Sequence, residues 1–504
     1  MGDDLIKYNP FGSFRVGQRE GVQGIIDAYN NDAGVLEYSA PTGSGKTLCM
    51  VAAGRALLDQ GASKVVYTTP LVALVDQIGR IKEYNMPTIV GKKNYPCLLR
   101  EGMTADDCPF KANDIGDPEI CPGCPYRQAK FDFLLSSYGA TTMARFLFDP
   151  SVRKGTKVVM IDESATLEDA LLRNCTLRIP ESIDLAQADL PRTILRWSLS
   201  LEQELVERQE EYARTWGDLD KKPSRSALRQ LQGESKTIKA MERDVKKCGK
   251  ILHIINTKQR YFVDKDRNFK VIHGGQLFKE MAKDFKLVVL ASGTPTTHLI
   301  CEKYKKICAP HPIDVNRRRV YVCSSVGKMS KKCREATAPK MAKMIEKLHD
   351  KYHQNTIAHC GNYDTARLLC APLQADGYHV LLQNKEDREG SLRSWKSRND
   401  IIFLSVAFTN GIDLEGDAFP MNIIANMPYP NLGDEWVKQR KEYDEDKWYN
   451  TSVAVEVQQA AGRCTRTPTD FSQTWILDQN FVWFYKQHTD LFEPWFRESL
   501  MFVR

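Results

Sequence analysis

Short runs of Val, Ile and Leu alternate along the chain with longer stretches whose apolar residues recur every three or four positions. The first run, GVLEYSA (34–40), is followed by PTGSGKT and a helix predicted from about Leu48 to Leu58. KVVYTTP (64–70) leads into a helix through Leu74 and Ile78, and the runs KVVMIDE (157–163) and KLVVLASGT (286–294) come later. Runs this apolar suit strands buried on both faces, so the pattern predicts a parallel sheet covered by helices. From about 312 the alternation resumes with NTIAHC, the helical YDTARLLCAPLQ, HVLLQN, DIIFLSVAFT, NIIANMPYP and TWILDQNF, which predicts a second lobe of the same class.

Two segments break the pattern of the first lobe. Residues 91–130 are rich in Cys, Pro and Gly and show no sustained periodicity. Residues 172–283 are charged and helical in period, as in LEQELVERQEEYART and SKTIKAMERDVKKCGKIL, and are too well patterned for a loop. The expected organisation is a first lobe in three parts (1–90, 131–171 and 284–311), interrupted by a cysteine-rich insertion (91–130) and a helical one (172–283). A second lobe covers 312–504.

Composition adds exclusions more than assignments. Lys plus Arg (71) against Asp plus Glu (64) gives a formal charge of +7 over 504 residues, which permits a polyanionic partner without requiring one. No run of about 18 apolar residues is long enough to span a membrane. The start, MGDDLIKYNPFGSFR, is acidic and has no apolar core, so it does not read as a secretory signal, and Ile at position six speaks against myristoylation. Fourteen scattered cysteines fit a reducing compartment better than a disulfide scaffold. A cytoplasmic, nucleoid or nuclear location is expected.

The chemistry begins at Ala40-Pro-Thr-Gly-Ser-Gly-Lys-Thr47, between a strand and a helix. Gly43, Ser44 and Gly45 form a tight turn whose N–H groups converge on a β-phosphate, and the helix N-terminus adds a favourable dipole. Lys46 is expected to reach the β- and γ-phosphates of ATP, and the Thr47 hydroxyl to bind Mg²⁺. Asp162 and Glu163 close an apolar strand, where one carboxylate organises magnesium and the other polarises the attacking water. Gln18, just before the first strand, is a candidate for contact with adenine. In Gln459-Ala-Ala-Gly-Arg463-Cys-Thr-Arg466 the two arginines lie three apart on one helix face, suited to stabilise a transferring phosphoryl group.

In this order (Gln18, PTGSGKT, YTTPLVALVDQ, DESA, ASGTPTT, FTNGIDLEGD, QQAAGRCTR) the motifs resemble those of superfamily-2 helicases. ASGTPT and NGIDLEG, the latter with Gly411 and Asp413, resemble the iron–sulfur branch, the XPD and DinG-like helicases. The resemblance implies an α/β fold class: two RecA-like parallel-sheet lobes, with a cysteine-rich cluster insertion and a helical arch-like insertion in the first. It also implies an ATP-dependent DNA helicase, a monomer moving 5′→3′ along single-stranded DNA and opening forked or tailed duplex, with replication or repair proteins as partners. One departure stands out: the family's Asp-Glu-Ala-His is Asp162-Glu163-Ser164-Ala165 here. The missing histidine bears on coupling between nucleotide and lobes rather than on hydrolysis. A rival reading keeps the fold as an ATP-gated binding or scaffolding module, or an RNA translocase, without unwinding.

Cys97, Cys108, Cys121 and Cys124 fall within 28 residues and include a CPGCP turn. Four thiolates there accept either Zn²⁺ or [4Fe–4S], since both take a tetrahedral sulfur shell. The position between second strand and Walker B strand resembles that of the family's iron–sulfur cluster. Thr68-Thr69-Pro70, Thr294 to Thr297 and Thr409-Asn410 are candidates for phosphate contacts, and the runs 317–319 and Lys331-Lys332 for an electrostatic grip. Tyr95, Tyr126, Phe131 and Tyr138 are candidates for base stacking or for core packing.

Overall fold

The computed structural model describes residues 5–109, 123–183, 189–218, 224–352, 355–406, 421–462 and 471–503. Strands β1 (Gly34–Ser39), β2 (Val65–Thr69), β3 (Thr88–Ile89), β4 (Tyr138–Thr142) and β5 (Val158–Asp162) belong to the first sheet. β6 (Leu177–Arg178), β7 (Tyr261–Val263) and β8 (Asn268–Val271) form a small antiparallel sheet in the order β6-β8-β7. The chain then returns to the first sheet with β9 (Leu287–Ser292) and β10 (Lys305–Cys308), completing the order β10-β1-β9-β5-β2-β4-β3, parallel throughout. Parallel strands end on one edge of a sheet. The phosphate loop after β1, Asp162 at the end of β5 and Gly293 after β9 therefore share that edge, where ligands of open α/β sheets bind.

The helix Lys46–Asp59 lies against this sheet through an almost wholly buried face that includes Ala52, Ala53, Gly54 and Ala56. Small residues are needed there: a Cβ on Gly54 would come 2.4 Å from the Tyr138 ring.

The second lobe holds β11 (Val320–Cys323), β12 (Thr356–His359), β13 (Val380–Leu382), β14 (Ile402–Ser405), β15 (Met421–Ile424), β16 (Thr474–Ile476) and β17 (Leu500–Val503). Their order is β13-β14-β12-β15-β16-β11-β17, again all parallel. The alternation of apolar runs and helices thus builds two doubly covered parallel sheets.

Between β6 and β7 two long helices, Leu190–Asp218 and Arg225–Asn256, pair along their length. At 32 residues the second is about 48 Å long. Their far end packs Tyr212, Trp216, Leu231 and Ile238 around Met103 of the cysteine-rich segment. The Tyr212 hydroxyl donates to the Asp107 carbonyl at 2.6 Å, and Lys239 lies 3.0 Å from Asp106 and 2.9 Å from Asp107.

Helices cross two boundaries drawn from the sequence. Pro125–Leu135 spans position 130, because Pro125 at its first turn starts a helix whose Phe133 enters the first-lobe core. Leu167–Asn174 spans 171 for a similar reason, with Leu167 and Leu171 in that core. Gly275–Ala282, drawn inside the helical insertion, also packs Phe278 and Met281 there.

Candidate functional site

The phosphate loop turns on two left-handed glycines, Gly43 (φ +80°) and Gly45 (φ +81°). A Cβ on Gly45 would meet Gln18 Nε2 at 2.2 Å, so glycine is required by both backbone and neighbour. Ser44 Oγ donates to the Pro41 carbonyl at 2.7 Å and closes the turn. The helix Lys46–Asp59 starts directly after Gly45, which points its first N–H groups into the loop.

Lys46 Nζ lies 3.8 Å from Glu163 Oε1, bridging loop and strand-end carboxylates across the cleft that a phosphate would occupy. Asp162 accepts from the Tyr67 hydroxyl at 2.5 Å, and that hydroxyl stands 3.5 Å from Thr47 Oγ1. Burial pushes the Asp162 carboxyl up, Glu163 adds repulsion, and Lys46 opposes both. Glu163 itself is held at φ +50°, an uncommon conformation for a residue with a side chain and one that marks functional sites. Lys46, Thr47, Asp162 and Glu163 are thus brought to one place. A glycine turn, a helix N-terminus, a lysine and a buried carboxylate beside a hydroxyl fit a magnesium nucleotide.

Gln18 is buried. Its Nε2 donates to the Ser44 carbonyl at 3.0 Å and its Oε1 accepts the Arg15 N–H at 2.9 Å, so it fastens the phosphate loop from below. Arg463, Arg466, Gly411 and Asp413 lie outside the described residues, as does Thr409-Asn410. Gln459 is described, and its Nε2 donates across the lobe boundary to Thr294 Oγ1 at 3.0 Å. Other links cross beside it. Glu493 accepts from Ser39 Oγ at 2.6 Å and lies 3.1 Å from Lys306, which also pairs with buried Glu37 at 3.0 Å. Trp495 Nε1 donates to the Gly293 carbonyl at 3.0 Å.

Tyr67 and Glu493 were not singled out from the sequence. Tyr67 sits within the buried strand VVYTT, where its phenol and the two threonines that follow interrupt the apolar run, and that interruption is the signal available.

Several candidates for nucleic-acid contact are corrected by burial. The hydroxyls of Thr68 and Thr69 are fully enclosed and cannot reach a ligand, because β2 is central in the sheet. Of the two readings open for the aromatic rings, core packing holds for Tyr138, whose hydroxyl donates to the Met50 carbonyl at 3.0 Å, and for Tyr126, which is buried in the first-lobe core. Arg318 is buried and donates to the carbonyls of Ile313 at 3.0 Å and Trp495 at 2.6 Å, so it braces the chain terminus rather than gripping a strand.

A passage of about 1020 Å³ opens between the first lobe, the cysteine-rich segment and the long helices. Lys92, Lys93, Lys130, Arg145 and Lys246 line it together with Tyr126 and Phe148. The Tyr126 hydroxyl accepts from Arg145 Nη2 at 2.8 Å, and Lys250 lies 4.9 Å from the Phe148 ring. Asp106, Asp149, Glu202 and Glu242 line it as well, so its wall carries both signs of charge.

Among the described residues, no three His, Cys, Asp or Glu side chains gather as a metal-binding group. Cys97 packs on the cluster containing Tyr212, and Cys108 lines a small cavity with the same ring. Cys124 caps the N-terminus of Pro125–Leu135 and packs on the first-lobe core, while Cys121 lies outside the described residues.

Residues 20–103 match the family model of DEAD/DEAH box helicases, and residues 345–499 match that of the helicase C-terminal domain. Similar solved structures include S. tokodaii Xpd4, at 17% identity and a TM-score of 0.57 over 97% of this chain and 99% of that one. Another, titled XPD_Helicase, has 16% identity and a TM-score of 0.61 over 97% of this chain and 100% of that one. A third, XPD_APO, has 15% identity and a TM-score of 0.54 over 96% and 99%. None of the curated proteins matches the chain. The two helicase domain models thus match in this order, one on the lobe that carries the phosphate loop and the other on the second lobe. The fold is similar to that of these XPD structures. No helix among the described residues is long and apolar enough to cross a membrane.

Proposed function

We propose that the chain is a DNA helicase that moves 5′→3′ along single-stranded DNA and separates duplex ahead of it. The observation that carries the reading is the passage, where Lys92, Lys93 and Lys246 and the exposed ring of Phe148 surround a volume that suits a single strand. Cations grip the backbone without regard to sequence, and rings stack on any base. Asp106, Asp149, Glu202 and Glu242 on the rim keep the grip weak enough to slide.

Magnesium-bound ATP supplies the phosphoryl group whose transfer drives the cycle. Lys46 and the first N–H groups of its helix hold the β- and γ-phosphates, Thr47 and Asp162 hold the magnesium, and Glu163 takes the proton from the attacking water. Arg463 and Arg466 are assigned the role of stabilising the developing charge, and Gln459, four positions before Arg463, donates to Thr294 of the first lobe. Gly411 and Asp413 complete the second-lobe side. Lobe closure and reopening then step the strand through the passage.

Cys97, Cys108, Cys121 and Cys124 together hold a [4Fe–4S] cluster, with zinc as the other tenant. The protein acts as a monomer on forked or tailed DNA alongside replication or repair proteins.

The test is ATP-dependent strand separation on matched duplexes with a 5′ or a 3′ single-stranded tail, using anaerobically purified protein. Unwinding of the 5′-tailed duplex alone is expected. Nucleic-acid-stimulated ATPase with neither duplex opened would replace the helicase by a translocase or scaffold.

A further inference from the structure

After Glu163 the chain has Ser164-Ala165 where the resembled family has Ala-His, and among the described residues these side chains make no contact with the second lobe. Ser164 Oγ is buried without a hydrogen-bond partner, Ala165 has no polar side-chain atom, and Thr166 Oγ1 turns back to the Glu163 carbonyl at 3.0 Å. The contact is made two positions further on. Glu168, in the first turn of Leu167–Asn174, reaches Arg440 Nη2 of the second lobe, 3.1 Å from Oε1.

Arg440 is completely buried, on the helix Glu435–Tyr443. Its Nη1 donates to the Ile272 carbonyl at 3.0 Å, and its Nε lies 3.3 Å from Asp444 Oδ2. Glu168 Oε1 also accepts the Gly274 N–H at 2.9 Å. Ile272 and Gly274 directly follow β8, at the base of the long helices. There is no slack: a Cβ on Gly274 would come 2.8 Å from Glu168 Cγ. Trp436, one turn before Arg440, donates from Nε1 to the Val271 carbonyl at 2.8 Å.

One guanidinium therefore joins three units: the segment leading from the strand-end carboxylates, the root of the helical insertion, and the second lobe. We propose that Glu168 and Arg440 are positioning residues that couple movement of the second lobe both to the Asp162–Glu163 carboxylates and to the wall of the passage. A buried ion pair suits this task. Losing one partner strands the other charge away from water, so the contact favours two discrete arrangements over gradual loosening. Its local route is rigid, since only four residues separate Glu163 from Glu168 and they run through a 3₁₀ turn into a helix.

The proposal rests on the reading of this chain as an ATPase stimulated by nucleic acid. It is tested with full-length E168Q, R440K and the double variant, measuring kcat and KM for ATP with and without single-stranded DNA, and the melting temperature. In each variant the DNA-stimulated kcat is expected to fall by roughly tenfold or more, with KM for ATP within about twofold of wild type. The double variant should be no worse than the poorer single one, because the pair acts as a unit. A lowered melting temperature with the stimulation ratio intact would make the pair a static brace and overturn the proposal. If E168Q fails to fold, R440K, which keeps the charge but loses the forked geometry, decides between the same outcomes. A wild-type chain that DNA does not stimulate would overturn the functional reading and this proposal with it.

Discussion

The Tyr67 hydroxyl donates to Asp162 Oδ2 at 2.5 Å while standing 3.5 Å from Thr47 Oγ1, so one phenol touches both candidate magnesium ligands. Burial first, then the Asp162 charge, push the phenol well above its usual range, and it remains the donor at any working pH. Hydrogen bonds to charged groups contribute about 1.5–3 kcal/mol. Tyr67→Phe should lower stability by that order and raise the Mg²⁺ concentration that half-saturates ATP turnover several-fold. A magnesium titration of the variant's ATPase is the check, and an unchanged midpoint would separate Tyr67 from the metal site.

Lys46 and Glu163 face each other at 3.8 Å across the cleft and should fail in different ways. Lys46→Ala removes a phosphate contact and should abolish both tight nucleotide binding and turnover. Glu163→Gln keeps size and polarity but cannot take a proton. Turnover should drop by about 10²–10⁴ while nucleotide still binds. Equilibrium binding of a fluorescent nucleotide beside steady-state turnover distinguishes the two.

Gly45→Ala tests the loop geometry. A left-handed backbone costs an ordinary residue about 1–2 kcal/mol, and here the added methyl also strikes Gln18 Nε2. The variant should melt lower and lose nucleotide affinity together. A variant with full affinity would show that the loop tolerates another turn.

Acid sensitivity should concentrate at the lobe boundary. His298 Nε2 meets Thr451 Oγ1 at 3.1 Å, and burial, then Lys447 and Lys306, push its pKa from 6.5 down to about 4. The folded state thus holds it neutral while the unfolded chain takes up a proton. The stability it contributes is present above about 6.5 and lost as pH falls toward 4. Glu168, raised by burial to about 7, has the opposite sign, so its contribution falls as pH rises. Melting temperatures of wild type and His298→Gln between pH 4 and pH 7 isolate the histidine. The variant's curve should be the flatter one on the acid side.

Metal content follows from the four thiols. Anaerobic protein should carry iron and acid-labile sulfide in equal amounts, and Cys121→Ser or Cys124→Ser should lose both together. Zinc without sulfide would assign the other tenant.

How far the sequence could be read depended on whether a residue's role is local. The phosphate loop was legible because its glycines, lysine and threonine act within eight consecutive positions, and the geometry at Gly43 and Gly45 follows from that spacing. The strands were legible because both faces of a parallel sheet are buried, which leaves an unbroken apolar run. Thr68 and Thr69 misled for the same reason reversed: a hydroxyl at a strand end resembles a ligand contact until the neighbouring strands enclose it. Arg318 stood in a basic run that reads as surface, yet the terminal segment folds over it and supplies the Trp495 carbonyl as an acceptor from 177 positions away in sequence.

By itself, then, the amino-acid order determined the two-lobe α/β class, the glycine turn after the first strand and the acidic pair at the end of another. Each is written in nearest-neighbour chemistry: periodicity, turn glycines, and charges at a strand end. Only the tertiary structure decided which side chains meet across the lobes, with Gln459 on Thr294, Glu493 on Ser39 and Arg440 on Glu168. Those pairs lie 165, 454 and 272 positions apart. No local pattern specifies such contacts, because they arise where separately folded sheets come to rest against each other and the buried charges between them must find partners.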